Sequence, residues 1–400
     1  MKAEFPGENV IRASLSIFAF FVALSFSVSV SAQTDPDLST IELPRGFTIE
    51  TWSDEVPNAR SMTLGDNGTV FVSTRRDGRV YALVPRRNGR PTVLTLAEKL
   101  KMPNGIAFYA GDLYVAENHR IIRFNDIEAN LDKVPEPEIV IDSLPTESHH
   151  GWRYIDFGPD GKLYISIGAP CNVCDKAGFA NISRMNADGS GQEIVAHGVR
   201  NSVGFAWHPD NGELWFTDNG RDMLGDDVPP GELNHAPVTG LHFGFPYCHG
   251  GDVADPEFGE QRDCEEFVAP AQKLDPHVAP LGMLFYNGDM FPDEYNGQVL
   301  IAEHGSWNRS RKVGYRISLV RMVQGEAVSY EVFADGWLQD EEATGRPVDL
   351  LVLGDGSMLV SDDQNGIIYR ISYSRPLDDG IALLPEAWDA ERTAIESASE

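Results

Sequence analysis

The sequence predicts an all-β protein, a six-bladed β-propeller with four-stranded antiparallel blades, and three observations predict it. One phrase recurs along the chain: an apolar pair, a tight turn of Gly, Asp, Asn or Pro, then an alternating strand ending in a polar cluster. It reads MTLGDNGTVFVST (62–74), IAFYAGDLYVAEN (106–118), IDFGPDGKLYISIG (155–168), FAWHPDNGELWFTDNG (205–220), MLFYNGDMFPDEYNGQVLIAEHG (283–305) and DLLVLGDGSMLVSDD (349–363). Glycine (38) and proline (25) are plentiful, as a turn-rich β chain requires. No run of strong amphipathic helices separates the strands, which argues against an α/β barrel or a doubly wound sheet.

From the N-terminus, residues 1–32 read as a signal peptide. Lys2 and Arg12 precede or open an apolar run from Leu15 to Val30, and Val30-Ser31-Ala32 offers cleavage after Ala32. An uncleaved anchor is the alternative. Cleavage makes the mature chain periplasmic or secreted, and no later segment is long and apolar enough to span a bilayer. Residues 33–45 form an N-terminal extension, 46–373 the propeller, and 374–400 an acidic tail in which Pro385–Glu400 reads as a short surface helix. Each copy of the phrase is two strands joined by a turn whose Asp-Gly, Asn-Gly or Gly-Asp supplies the unusual backbone angles. Alternation such as Lys162-Leu163-Tyr164-Ile165 is expected to put one face inward and one outward. Further strands such as Arg79–Val84, Arg120–Phe124 and Ile367–Ser372 complete four per unit. The ring closes if Phe47–Trp52 (FTIETW) pairs with Ile367–Ser372 in one blade, leaving no open edge. Long connections such as Asp218–Asn234 then gather on one face of the disc.

The chain carries 61 acidic and 32 basic residues, a net charge of −29. Such a surface repels phosphate backbones and anionic lipid, which excludes nucleic-acid binding, and it enriches calcium nearby. In an exported chain the four cysteines read as two disulfides, Cys171–Cys174 and Cys248–Cys264. Zinc is the rival, and it needs four thiols to converge from distant loops. Haem attachment is excluded because Asp175, not histidine, follows the CNVC stretch.

Four clusters beside inner strands carry candidate chemistry. His149 and His150, in SHHGWR, suit proton abstraction from a hydroxyl, unless they only satisfy loop backbone. Arg200 and Asn201, in HGVRN, suit a carboxylate- or quinone-rich ligand, unless the arginine is a structural ion pair. The loop 218–234 bunches carboxylates, amides and carbonyls around glycines, as a hard cation such as Ca²⁺ needs. The stretch 302–312, with Arg309, Arg311 and Lys312, and the later Arg346 supply counter-ions for a multiply anionic ligand, unless Arg311 and Lys312 are solvated strand flanks; Trp307 offers a stacking face for an aromatic cofactor, unless it is core packing. Asn104, in MPNGIAF, is a candidate cofactor contact whose bland reading is a turn-forming Asn-Gly.

In their order, the phrases HHGWRYIDFGPDGKLY, HGVRNSVGFAWHP, TDNGRDMLGDDVPPGELN, HFGFPYCHGG, AEHGSWNRS and GRPVDLLVLGDGSMLVSDD resemble the soluble pyrroloquinoline quinone (PQQ)-dependent glucose/sorbosone (aldose sugar) dehydrogenase family. The resemblance runs from about Phe47 to Tyr373. It implies a propeller that holds PQQ and Ca²⁺ in a cleft on its top face. It implies that His149, four residues before the arginine of the HxGxR phrase, deprotonates a sugar's C1 hydroxyl. Arg200 and Asn201 are then implied to contact quinone oxygens and substrate, the Gly220 and Arg221 carbonyls to hold calcium, and Arg346 to grip a PQQ carboxylate. Three departures stand out. Where the family has an IGD or IGE phrase, whose carboxylate orients the histidine, this chain has Ile167-Gly168-Ala169, with Asp175 as the substitute. Val348 replaces the second arginine of an RxRD phrase. Arg309 is the expected replacement for the PQQ-binding lysine, with Lys312 and His304 behind it. These losses resemble the sorbosone branch of the family.

The implied chemistry is base-assisted hydride transfer from C1 of an aldose or sorbosone-like sugar to PQQ, making the chain a quinoprotein oxidoreductase. Electrons then leave to an external acceptor that the sequence does not name. Two rivals stay open on the same fold, a calcium-dependent lactonase and a non-catalytic binding module. A homodimer also stays open.

Overall fold

The computed structural model describes Met1, residues 37–87 and residues 89–376. The signal peptide with its cleavage after Ala32, and the predicted helix 385–400, lie outside the described residues. The chain divides into two units, Met1–Asp35 and Pro36–Glu400, and the propeller belongs to the second.

Six antiparallel sheets form the blades, and in five of them neighbouring strands follow sequence order from the inner strand outward. The first blade is Ala59–Leu64, Val70–Thr74, Val80–Val84 and Thr92–Ala97, and the second is Gly105–Tyr109, Asp112–Ala116, Ile121–Phe124 and Glu138–Ile141. The third is Ile155–Phe157, Leu163–Ile167, Asn181–Met185 and Glu193–His197; the fourth is Phe205–Trp207, Leu214–Asp218, Pro230–Ala236 and Gln272–Pro276. The fifth is Pro280–Phe285, Val299–Glu303, Arg316–Val323 and Glu326–Ala334. The sixth takes Pro347–Val352, Met358–Asp362 and Ile367–Tyr373 from the C-terminal end and Phe47–Ser53 from the N-terminal end. Phe47 pairs with Tyr373 and Ile49 with Ile371, so the ring closes as the FTIETW strand predicts. The third blade departs from four strands. A short strand, Leu241–His242, leaves the fourth blade and adds in parallel to its outer edge.

Six apolar clusters hold the ring, one at each blade-to-blade contact. Phe71 and Val80 of the first blade meet Ile106 and Val115 of the second, whereas Val70 and Val72 meet Leu359 and Ile368 of the sixth. Alternation along the second strands therefore does not separate inside from outside, as the sequence suggested for 162–165. Leu163 and Ile165 pack on the second blade, Tyr164 on the fourth, and all three are buried. Blades packed face to face bury both surfaces of a sheet. Near the axis the inner strands approach closely: a Cβ on Gly105 would come within 2.7 Å of the Arg153 carbonyl oxygen. Val348 joins Val203 and Leu281 in a small apolar cluster there, with Trp152 packed against it.

Candidate active site

The second strand of each blade ends near one face of the ring, and the residue after it points to what that face can do. These residues are Arg75, Glu117, Gly168, Asn219, His304 and Asp363. Arg75, Asn219 and His304 line a cavity of about 400 Å³. His149, Arg200, Asn201, Gly220, Arg221 and Arg346, all singled out in the sequence, line the same cavity.

On the side of the third and fourth blades stand two imidazoles and a guanidinium. His149 is exposed to the cavity, and its ring centroid lies 4.1 Å from that of His150. Burial and the nearby Arg200 push the His149 pKa below the ordinary imidazole value, against the pull of Asp222 and the Cys171 backbone. It is neutral at pH 7 and able to accept a proton. His150 is buried, donates Nδ1–H to the Ala169 carbonyl at 2.7 Å, and is pushed down further by burial, Arg200 and His149. Its φ of +47° is rare for a residue with a side chain; Arg153 of the HxGxR phrase donates to the His150 carbonyl at 3.4 Å. Gly168 leaves room for this turn, since a Cβ there would lie 2.7 Å from the His150 Cβ.

Arg200 is buried and almost fully hydrogen-bonded. Nε donates to the Asn172 carbonyl (2.9 Å), Nη1 to the Asn219 carbonyl (3.0 Å), and Nη2 to Asn172 Oδ1 (2.9 Å) and Asp222 Oδ2 (3.2 Å). A guanidinium has five N–H donors, so one N–H on Nη1 remains. Asp218 anchors the backbone here, accepting from the Arg200 N–H at 2.7 Å and the Asn201 N–H at 2.6 Å. Burial, with Glu232 beside it, pushes Asp218 up to about 8.

The side of the first, fifth and sixth blades is differently built. Arg60 is buried between Asn104 Oδ1 (2.8 Å) and Asp363 Oδ2 (3.0 Å), and His304 Nε2 shares Asp363 at 2.8 Å. Asp363 is held well below the usual carboxylate range; burial opposes this, and His304 and Arg60 outweigh it. Arg346 donates to the carbonyls of His304 (2.9 Å) and Gly305 (2.8 Å). Arg75 stacks over Trp152 at 4.6 Å and is pushed down to about 10 by burial, with Arg60 adding repulsion. Among the described residues, neither Arg75 nor Arg346 has an ion-pair partner.

Around the loop after the fourth blade's second strand, the carbonyls of Asn219 and Asp222 accept hydrogen bonds from Arg200 and Asn172. No hydrogen bond of the described residues ends on the Gly220 or Arg221 carbonyl between them. The Arg221 side chain turns to Asp255 and to Glu257 (2.6 Å). Among the described residues there is no cluster of three or more His, Cys, Asp or Glu side chains that could hold a metal ion.

Three expectations need correction. Asn104 does not line the cavity: its amide is fully buried, accepting from Arg60 and donating to the Arg153 carbonyl at 2.9 Å, so it positions an arginine. Arg309 does not line it either. It reaches the Asp226 carbonyl (3.1 Å) and Asp227 Oδ1 (3.1 Å), tying two rim loops, and Lys312 is taken by Glu341. Asp175 does not serve His149; it accepts from the Tyr247 hydroxyl at 2.8 Å. Cys171 and Cys174 are disulfide-bonded, as are Cys248 and Cys264.

Residues 41–374 match the family model of the TrAA12-like proteins. The chain belongs to that family. An uncharacterised protein of Borreliella burgdorferi is 34% identical over 376 residues, covering 90% of this chain and 98% of its own. A Trichoderma reesei Carbohydrate-Active Enzymes Family AA12 structure superposes with a TM-score of 0.74 at 22% identity, over 84% of this chain and 98% of that one. The PQQ domain of Coprinopsis cinerea pyranose dehydrogenase, in its holo form, gives 0.72 at 18% identity, over 83% and 97%. PQQ-bound aldose sugar dehydrogenase of Streptomyces coelicolor gives 0.62 at 19%, over 83% and 100%. At these identities the structures share the propeller with this TrAA12-like chain. Arg60, Arg75, His277 and the stretch 279–281 are cavity residues that sequence reading missed. The repeat could have found Arg75, because it occupies the same slot after a second strand as His304 and Asn219.

Proposed function

We propose that this TrAA12-like protein is a PQQ- and Ca²⁺-dependent oxidoreductase that oxidises an aldose or sorbosone-like sugar at C1 and passes electrons to an external acceptor. One observation carries the reading. Two half-buried guanidiniums, Arg75 and Arg346, line one cavity with a neutral histidine pair and have no ion-pair partner among the described residues. In a chain with 61 acidic residues, carboxylates are plentiful, so cations left unpaired in a cavity call for an anionic ligand. The PQQ-bound structures that share the fold support the same choice of ligand.

The residues present fit the cofactor. Arg75 and Arg346 would hold its carboxylates, Trp307 at the cavity rim offers a flat apolar face, and the Gly220 and Arg221 carbonyls would hold Ca²⁺. When bound, PQQ supplies a two-electron oxidant, with Ca²⁺ as the Lewis acid beside it. His149 takes the proton of the C1 hydroxyl, for which its depressed pKa keeps the imidazole unprotonated. The remaining Nη1–H of Arg200 stabilises negative charge that develops on oxygen, and its other bonds keep it from reorienting. A second reading gives the proton to His150. The Nδ1–H bond to Ala169 fixes that ring's tautomer and leaves Nε2 as the acceptor.

The test is reconstitution of the ligand-free protein with PQQ and Ca²⁺, followed by a screen of aldoses with an artificial dye. Quinone absorbance retained on the protein and sugar-dependent dye reduction are the expected result. Lactone hydrolysis without quinone would instead identify a lactonase, and neither activity with no PQQ retained would identify a binding module.

A further inference from the structure

The segment from Ala169 to Cys174 touches each group assigned above to proton transfer or charge stabilisation. Ala169 accepts from His150 on its carbonyl and donates its N–H to the Arg200 carbonyl at 2.7 Å. The Cys171 backbone lies beside His149 and favours its protonated form, against burial and Arg200. Asn172 accepts from Arg200 twice, through its carbonyl and through Oδ1. Its side chain also pairs with the Asp222 backbone, accepting N–H at 2.9 Å on Oδ1 and donating Nδ2–H to the carbonyl at 2.9 Å. One amide thus joins Arg200 to the loop that carries the two free carbonyls.

Nothing regular holds this segment: it is coil and half-exposed from Cys171 to Cys174. Free coil of that kind samples many conformations, and each costs order in any group that depends on it. The Cys171–Cys174 bond closes it into a small ring with the Cα atoms 6.2 Å apart. Ala169, where the resemblance puts a carboxylate, has no side-chain acceptor. The Ala169 carbonyl, two residues before the ring, orients His150 instead.

We propose that the disulfide-closed ring is the positioning device of the site, with Asn172 as the positioning residue that aims Arg200. Its kinetic consequence rests on the dehydrogenase reading, whereas its structural consequence does not. The Arg200 Nε–H, bonded to the Asn172 carbonyl, is observable by ¹H–¹⁵N correlation in the ligand-free protein and is assigned by its loss in Arg200→Lys. Opening the ring with Cys171→Ser/Cys174→Ser is expected to speed solvent exchange of that proton by about tenfold or more, and to lower kcat of the holoenzyme by about tenfold to a hundredfold with sugar KM within about twofold. Asn172→Ala should lower kcat similarly, and Asn172→Asp, which keeps the Oδ acceptor, should recover most of it. If the double-serine protein does not fold, phosphine reduction of a folded Cys248→Ala/Cys264→Ala variant opens the same ring alone. Unchanged exchange after opening overturns the proposal, as does an unchanged kcat in Asn172→Ala. A wild-type holoprotein that oxidises no sugar sinks the dehydrogenase reading, and the exchange measurement still decides whether the ring holds Arg200.

Discussion

Arg200 and Arg75 line one cavity, yet among the described residues Arg200 spends four N–H donors on fixed partners and the Arg75 side chain spends none on a carboxylate or carbonyl. The third- and fourth-blade side is internally satisfied. His150 and Arg200 are aimed by fixed carbonyl and side-chain acceptors, and little ordering of these two is left to do when a ligand arrives. On the opposite side, Arg75 and Arg346 hold positive charge that the protein leaves unmatched. Under the proposed function the difference separates two jobs: one side is preorganised for chemistry, and the other takes the anionic ligand.

The largest break in this comparison comes from the chemical side. His149→Gln should keep PQQ and lose about 10²- to 10⁴-fold in kcat, the usual worth of a positioned base, read by dye reduction at saturating sugar. Wild-type kcat in that variant together with the same loss in His150→Gln would move the base to His150. A smaller effect is expected across the cavity. Arg75→Met should weaken PQQ binding about 10- to 100-fold, the worth of a charge-assisted hydrogen bond, in a fluorescence titration. Its kcat with PQQ saturating should stay near wild type, and its Tm should not fall, because the unliganded fold loses an unpaired half-buried charge. A fall in kcat with unchanged affinity would place Arg75 on the chemical side and erase the contrast.

The two sides also differ in how far they could be read from sequence. Repeat count, ring closure by Phe47–Ser53 and the convergence of His149, Arg200, Asn201, Gly220 and Arg346 all follow from phrases that recur or from clusters of polar residues beside glycines. Arg75 precedes Arg76 in a turn-like RRDG stretch and looks like a solvated charge; only its repeat slot sets it apart. Arg60 lies in an unremarked NARS stretch, and its burial depends on Asn104 and Asp363, 44 and 303 positions away. Composition cannot show such contacts. Arg309 misled for the converse reason: a basic cluster in a loop does not say which member turns inward, and here Asp226 and Asp227 on the neighbouring loop draw it to the rim. Asp175 was the natural substitute for a missing carboxylate, and its tie to the Tyr247 hydroxyl, 72 positions away, is not visible in the sequence.

The smallest expected effect concerns the axis, where inner strands of opposite blades place Asp156 and Asp349 within electrostatic reach of each other. Burial pushes each up to about 7. A carboxyl whose pKa is higher folded than unfolded adds stability that is complete below the unfolded value, near 4, and lost as pH rises through about 7. Asp363, on the cation side, has the opposite sign: its contribution is present above the unfolded value and is lost only as pH falls through its own depressed one. The two windows do not overlap between pH 5 and 8; Asp218 and Asp362, also raised by burial, titrate there too, so the axial pair is read from the difference between wild type and an axial variant. Asp156→Asn keeps an acceptor for the Phe157 N–H, now bonded at 2.8 Å. It should shrink the Tm gain on going from pH 8 to pH 5 by a few degrees, while Asp363→Asn leaves that gain as it is. A wild-type pH slope in Asp156→Asn would mean that this carboxyl ionises inside the fold without cost, and that the positive side of the cavity extends its field to the axis.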